Sequence, residues 1–306
     1  MSNNDVGRQR QPLQHSQQLE VERSSQQMKK PRLTVSFSGA GHLIAYHLGV
    51  SKSLLNHQDF CNRIKSVSGS SSGAIAAAIV TQIPHRLDEY SDRFLKERGK
   101  AFEHFRALME EEKDRSRVKD GPNLLVCATR SSDGSPQLFP FTAPYPDQER
   151  LFDVIRASCQ IPASFHPLDL FAKNPMTYEG EGIEIDGTLY VDGGVSGVFP
   201  PARLHDQEQS HRILVTPIAV TLTETTKEYL STLICPHKGA PSMWSRFFTT
   251  RDGIAIEPSV SNIQSLVPAS GMTSSEALED WYLRGMDDGE RQLDVLMDTE
   301  FDAHES

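Results

Sequence analysis

Strand-like alternation opens the patterned part of the chain. In "RLTVSFSGAG", Leu33, Val35 and Phe37 alternate with smaller residues until glycines interrupt the run, which predicts a strand followed by a turn. The next stretch, "HLIAYHLGVSKSLLNH", puts Leu43, Ala45 or Tyr46, Leu48 or Gly49, Val50 and Leu54 on one face at helical spacing. A second β-branched run, "RIKSVSG", leads through a Gly/Ser turn into "SGAIAAAIV", a second helix with Ser72 as its candidate N-cap. Two successive strand–turn–helix units are the start of a parallel α/β sheet.

Residues 85–116 are charged, with aromatic and aliphatic side chains at i, i+3 and i+4, and predict one long or two consecutive surface helices. "PNLLVCATRS" and "PQLFPFTA" predict a neighbouring pair of strands, and "DQERLFDVIRASCQIP" a helix stopped by Pro162. "TLYVDGGVSGVFP" reads as a strand ending in a double glycine, and "RILVTPIAV" as a buried strand. Between 221 and 274 the periodicity weakens, with Met243, Trp244, Phe247 and Phe248 set among Gly, Pro, Thr and Ser. "SEALEDWYLRGMDDGERQLDVLMD" restores it, as a last helix facing Leu278, Trp281 or Tyr282, Gly285, Leu293 and Leu296 inward. No internal repeat is present.

Composition sets the limits. Residues 1–31 are rich in Gln, Ser, Arg and Asn with almost no aliphatic content, so they predict a disordered polar tail. One catalytic domain is expected over 32–298, with its motifs concentrated in 33–200, a less regular part at 221–298, and an acidic tail at 299–306. Acidic residues outnumber basic ones, 41 to 31, for a formal charge of −10, which argues against nucleic acid and anionic lipid headgroups as partners. The cysteines Cys61, Cys127, Cys159 and Cys235 lie far apart without C-x-x-C pairs or zinc-finger spacing, and read as reduced thiols. No apolar leader or run of ~18 apolar residues occurs. A cytoplasmic protein is expected, with peripheral lipid contact left open.

The candidate chemistry sits in three turns. Gly69-Ser70-Ser71-Ser72-Gly73 has the form G-x-S-x-G between an apparent strand and an apparent helix. That context suits a nucleophile elbow, where Gly69 and Gly73 keep Cβ atoms out of a tight backbone approach. A flexible serine linker is the competing reading, against which stand dense apolar runs on both sides. "SGAG", Ser38–Gly41, ends the preceding strand, and a right-handed β-α-β unit brings that turn beside the elbow. Gly39, Ala40 and Gly41 then become candidate backbone donors for an oxyanion, while a plain turn or a phosphate cradle is the alternative; the cradle would want glycine where Ile44 stands. For the base, any of His47, His57, His85, His166, His205, His211 and His237 would complete a Ser-His-Asp triad. Asp192 in "YVDGG", with Gly193 and Gly194 turning the chain after it, is a carboxylate able to act directly.

The order "SFSGAGHLIAYHLGVSKSLL", "VSGSSSGAIAAA", "VIRASCQIPASFHP" and "YVDGGVSGVFP" resembles the patatin-like phospholipases and acylglycerol lipases over residues 33–200. "YLRGMDD" is similar to a C-terminal helix of animal-type members. The resemblance implies a three-layer α/β/α fold with a mainly parallel central sheet and a Ser-Asp dyad without histidine. Carried over residue by residue, it implies Ser71 as nucleophile, Asp192 as base and Gly39–Gly41 as oxyanion donors, and it makes Ser158 and Pro162 structural. Ile44 replaces a glycine usual in the family's loop, and Leu43 a frequent Arg or Lys. The implied activity is serine acyl hydrolysis of lipid esters, phospholipid or acylglycerol, through an acyl-serine and without metal or organic cofactor. An α/β-hydrolase using His205 or His211 is one alternative, and a catalytically weak lipid-binding or regulatory protein another. The 221–274 aromatics read as core packing or as a lid or lipid-docking surface. Contact with a membrane or lipid droplet surface would be peripheral, and oligomeric state is not legible.

Overall fold

β1 (Arg32–Phe37) carries the predicted alternation into space: Leu33, Val35 and Phe37 are buried in the main apolar core. A short 3-10 turn at Gly41–Leu43 leads into α1 (Ile44–Asn56), followed by α2 (Gln58–Arg63) and β2 (Ile64–Ser70). Then come α3 (Ser72–Gln82), α4 (Leu87–Lys96), α5 (Ala101–Glu111), β3 (Asn123–Arg130), β4 (Pro136–Phe141) and α6 (Gln148–Ser158). The remaining elements are β5 (Ile183–Ile185), β6 (Thr188–Val191), β7 (Ser210–Val215), β8 (Val220–Leu222), β9 (Thr232–Ile234), β10 (Ile254–Ile256) and α7 (Ser275–Glu305).

The computed structural model describes residues 32–112, 121–142, 147–166, 168–169, 172, 174–197, 199–200, 210–222, 232–236, 254–256, 262, 264–265, 269–270 and 273–305. The tail expected at 1–31 lies outside them, as do His205, His237, Met243, Trp244, Phe247 and Phe248. From Arg32 onward the chain forms one unit. No helix among the described residues is long and apolar enough to cross a membrane.

The fold is α/β, with a mixed, mostly parallel sheet flanked by helices, in the order β5-β6-β3-β2-β1-β7-β9 and with β4 also on β3. β1 pairs in parallel with β2 and β7, β2 with β3, and β7 with β9. One detail of register positions the site. β4 runs along one edge of β3 from Leu124 to Thr129, and β2 runs along the other edge from Asn123 to Cys127. β2 leaves the sheet after Ser70, and β6 fills the vacated edge, pairing Val191 with Thr129 and Tyr190 with Arg130. A strand has only two edges, so the chain leaving β6 at Asp192 emerges where β2 ends.

Several elements depart from the sequence pattern. α1 is not one-sided: Ile44 to Ser51, Ser53 and Leu54 are all buried, because α7 packs along it in addition to its other neighbours. α3 buries every residue from Ser72 to Thr81, and its alanines allow the close approach. Of the two readings for 85–116, the described residues bear out two consecutive helices, α4 (Leu87–Lys96) and α5 (Ala101–Glu111). α6 stops at Ser158, before Pro162. "RILVTPIAV" breaks into β7, in the main sheet, and β8, which pairs antiparallel with β10 in a separate two-stranded sheet. Pro217 between them lacks the N–H a continuous ladder needs. The weakly patterned 221–274 region supplies β9 and β10, each only three residues long. α7 extends through Glu305, past the boundary expected at 298.

α7 seats on α1 through backbone-close contact. A Cβ on Gly49 would lie 2.0 Å from the Tyr282 carbonyl oxygen, and one on Gly285 would lie 2.2 Å from that of Tyr46. Polar bonds fix the register: the Tyr46 hydroxyl donates to Asp288 Oδ2 at 2.9 Å and the Ser53 hydroxyl to the Met286 carbonyl at 2.8 Å.

Candidate active site

The elbow is built from close approaches. A Cβ on Gly69 would lie 2.1 Å from the Gly73 carbonyl oxygen, and one on Gly73 would lie 2.3 Å from the Ser38 carbonyl oxygen. Both ends of G-x-S-x-G are therefore glycine for steric reasons. Between them Ser71 adopts φ 52, ψ −134, a left-handed region that costs a non-glycine residue about 1–3 kcal/mol. Ser71, not Ser72, is the N-cap of α3, and its side chain makes no capping bond. The half-buried hydroxyl thus sits at the positive end of a helix without capping it.

The three turns meet at Gly39. A Cβ placed there would be 3.3 Å from Ser71 Cβ and 3.7 Å from Gly194 Cα. The "SGAG" loop is anchored from below. Ser38 donates its N–H to the Val215 carbonyl at 3.0 Å and accepts from His47 Nε2 at 2.9 Å. A carbonyl only accepts, so the His47 proton sits on Nε2. Burial pulls its pKa down to about 4, and the Ser38 carbonyl only partly offsets this. His47 is a neutral prop for the loop.

The three expected donor amides are not equivalent. The Ala40 N–H donates to Ser72 Oγ at 3.2 Å, so it is engaged within the protein and Ser72 ties the glycine loop to the elbow. The Gly39 and Gly41 amides have no partner among the described residues. Gly41 sits at φ +54 with the Ala269 carbonyl oxygen 2.4 Å from where its Cβ would be, so only glycine fits. Ile44 and Leu43 are fully buried at the start of α1 and pack into the core.

Asp192 is 4% exposed. Its Oδ1 accepts the Gly194 N–H at 2.7 Å, whereas Oδ2 is buried without a fully formed hydrogen bond among the described residues. Burial raises its pKa to about 6, and the Ser71 hydroxyl, then the Gly194 amide, draw it partway back. Its backbone is clamped on both sides: Asp192 N–H donates to the Gln160 carbonyl at 2.8 Å, and Thr129 Oγ1 donates to the Asp192 carbonyl at 2.8 Å. Gly193 has to be glycine, since its Cβ would lie 2.1 Å from the Cys127 carbonyl oxygen. The Cys127 thiol is pushed up to about 12, by burial first and then by Asp192. It is neutral beside the carboxylate. None of the four cysteines is in a disulfide.

The candidate histidines fare differently. His211 is paired with Leu33 at the start of β1, whereas Gly69 is paired with Phe37 at its end. At ~3.3 Å per residue, that separates His211 from the elbow by roughly 13 Å along the strands. His211 instead bonds Thr232 Oγ1 at 2.8 Å. His57 bonds Glu290, and His85 lies against Glu112. No histidine among the described residues bonds Ser71 or Asp192. No group of three or more His, Cys, Asp or Glu among them is arranged to hold a metal ion. The pattern-based reading missed Thr129 and Gln160, which act through a hydroxyl and a main-chain carbonyl, and no motif marks either.

The patatin-like phospholipase family model matches residues 35–124, the segment that holds the glycine loop and the elbow. No curated protein sequence matches the chain. Among solved structures, VipD from Legionella pneumophila is similar at 12% identity and TM-score 0.37, over 86% of this chain and 67% of its own. ExoU in its complex with SpcU from Pseudomonas aeruginosa is similar at 16% identity and TM-score 0.38, over 85% of this chain and 52% of its own. The chain thus spans about half the length of that second relative.

Proposed function

From the patatin-like character of residues 35–124 we propose that the protein is a serine acyl hydrolase of lipid esters, phospholipid or acylglycerol, working through Ser71 and Asp192. The observation that carries this reading is the convergence on Gly39 of the glycine loop, the strained serine and the Asp-Gly-Gly turn. Asp192, with Oδ2 unbonded and a proton affinity raised by burial, takes the Ser71 proton as Oγ attacks the ester carbonyl carbon. The carbonyl oxygen becomes an oxyanion, which the Gly39 and Gly41 amides and the N-terminus of α3 stabilise. Collapse breaks the ester C–O bond, and the proton on Asp192 passes to the leaving alkoxide. Water then adds to the acyl-serine with Asp192 again as base, releasing the fatty acid and returning the proton to Ser71.

Among the described residues, the buried, neutral Cys127 thiol and the propped, neutral His47 leave Asp192 as the group beside Ser71 suited to accept a proton. An ester carbonyl is what this chemistry requires, the family likeness makes the lipid ester its proposed source, and contact with a membrane or lipid droplet surface would be peripheral. The test is hydrolysis of a panel of soluble esters, phospholipids and acylglycerols. Ser71→Ala and Asp192→Asn are each expected to lower turnover by about 10⁴-fold with the fold intact, and His211→Ala to leave it unchanged. Full activity in Ser71→Ala would overturn the reading.

A further inference from the structure

Resting on the Ser71–Asp192 reading, we infer that Ser158, at the C-terminus of α6, is a positioning residue that holds the nucleophile in its reactive conformation. Ser158 is fully buried. Its Oγ donates to the Cys127 carbonyl at 2.6 Å and accepts the Ser71 N–H at 2.9 Å. The ladder between β2 and β3 ends at the pair Ser70–Cys127. The Ser158 hydroxyl is therefore interposed between an amide and a carbonyl where direct strand pairing stops, and it splices the departing chain back onto β3.

The need for such a splice follows from the backbone of Ser71. A non-glycine residue at φ 52, ψ −134 persists only where its surroundings over-determine it. The Ser71 carbonyl is held by the Ala74 N–H at 2.9 Å inside α3, while its side chain makes no cap. On the N-terminal side the bond from Ser158 is the one that fixes the Ser71 amide. The Ser158 proton is committed to Cys127, so a lone pair is directed at Ser71 rather than the O–H. Two residues on, Gln160 accepts the Asp192 N–H at 2.8 Å. The turn ending α6 thus grips both members of the candidate dyad and sets the distance between nucleophile and base.

A displacement of about 1 Å in such a pair costs on the order of 100-fold in rate. Ser158→Ala is expected to lower kcat on a soluble ester by on the order of 100-fold, with KM within about twofold. Fluorophosphonate labelling should slow in parallel. Ser158→Cys, which keeps a weak acceptor in nearly the same volume, should fall between the two. Ser91→Ala removes another buried hydroxyl, bonded to the Leu87 carbonyl at 2.8 Å within α4 and outside the three turns, and should leave kcat at the wild-type value. Wild-type kcat in Ser158→Ala, or equal kcat losses in Ser158→Ala and Ser91→Ala, overturns the inference. If Ser158→Ala does not fold, the decision passes to Ser158→Cys, where wild-type kcat overturns it. An inactive Ser71→Ala beside a fully active Ser158→Ala would remove this inference and leave the proposed function standing.

Discussion

Two buried aspartates, each 4% exposed, sit at opposite ends of the functional logic of this protein. Asp288 on α7 is satisfied: the Tyr46 hydroxyl donates to one oxygen and the Arg291 guanidinium to the other. Asp192 is not: a backbone amide binds one oxygen, and the other is bare and faces the Ser71 hydroxyl. The first fixes a helix crossing and is spent on structure. The second keeps an acceptor oxygen without a fully formed hydrogen bond next to the proposed nucleophile, at a cost in stability the rest of the fold must cover. Burial alone does not separate the two carboxylates; the difference lies in the oxygen left without a full set of donors.

That contrast is breakable by substitution at each end. The largest effect belongs to Asp192→Asn, which should lose about 10⁴-fold in turnover while gaining stability at pH 8, on the order of 2 kcal/mol. Urea denaturation checks the sign. The folded state holds the Asp192 proton up to about pH 6, while the unfolded chain releases it near the ordinary carboxylate value. Stability is therefore lost as pH rises from the ordinary carboxylate value to about 6, the full cost of the ionised Asp192 stands above pH 6, and removing its charge relieves that. Asp288→Asn should do the reverse, losing about 1–3 kcal/mol of stability with turnover per folded molecule unchanged. Equal stability changes at the two positions would erase the distinction.

A smaller effect sharpens it. kcat/KM on an uncharged soluble ester should fall below about pH 6 as Asp192 takes up its proton, and stability should rise over the same interval. An acidic limb near pH 4 would mean that Asp192 is solvated in the working enzyme.

The two regions were unequally legible in the sequence. Gly69, Gly73 and Gly193 were readable because each stands where a Cβ would strike a backbone atom, and that constraint leaves a fixed residue type. Val35, Val67 and Val126 were readable by strand pattern. The end of α6, the split of "RILVTPIAV" and the strands β9 and β10 were not, because three-residue strands carry no usable period. The partnership of Ala40 with Ser72 crosses 32 positions and belongs to tertiary packing. Asp288 looked like one acid among several in "MDDGE", since its partner Tyr46 lies 242 residues away. Asp192 stood out only because two glycines follow it.

Mass mapping of the fluorophosphonate adduct tests the central claim most directly. The account predicts a single adduct on the Ser71 peptide in the wild type, strongly reduced in folded Asp192→Asn and absent in Ser71→Ala. An adduct on another residue, or undiminished labelling of Ser71 in Asp192→Asn, would contradict it.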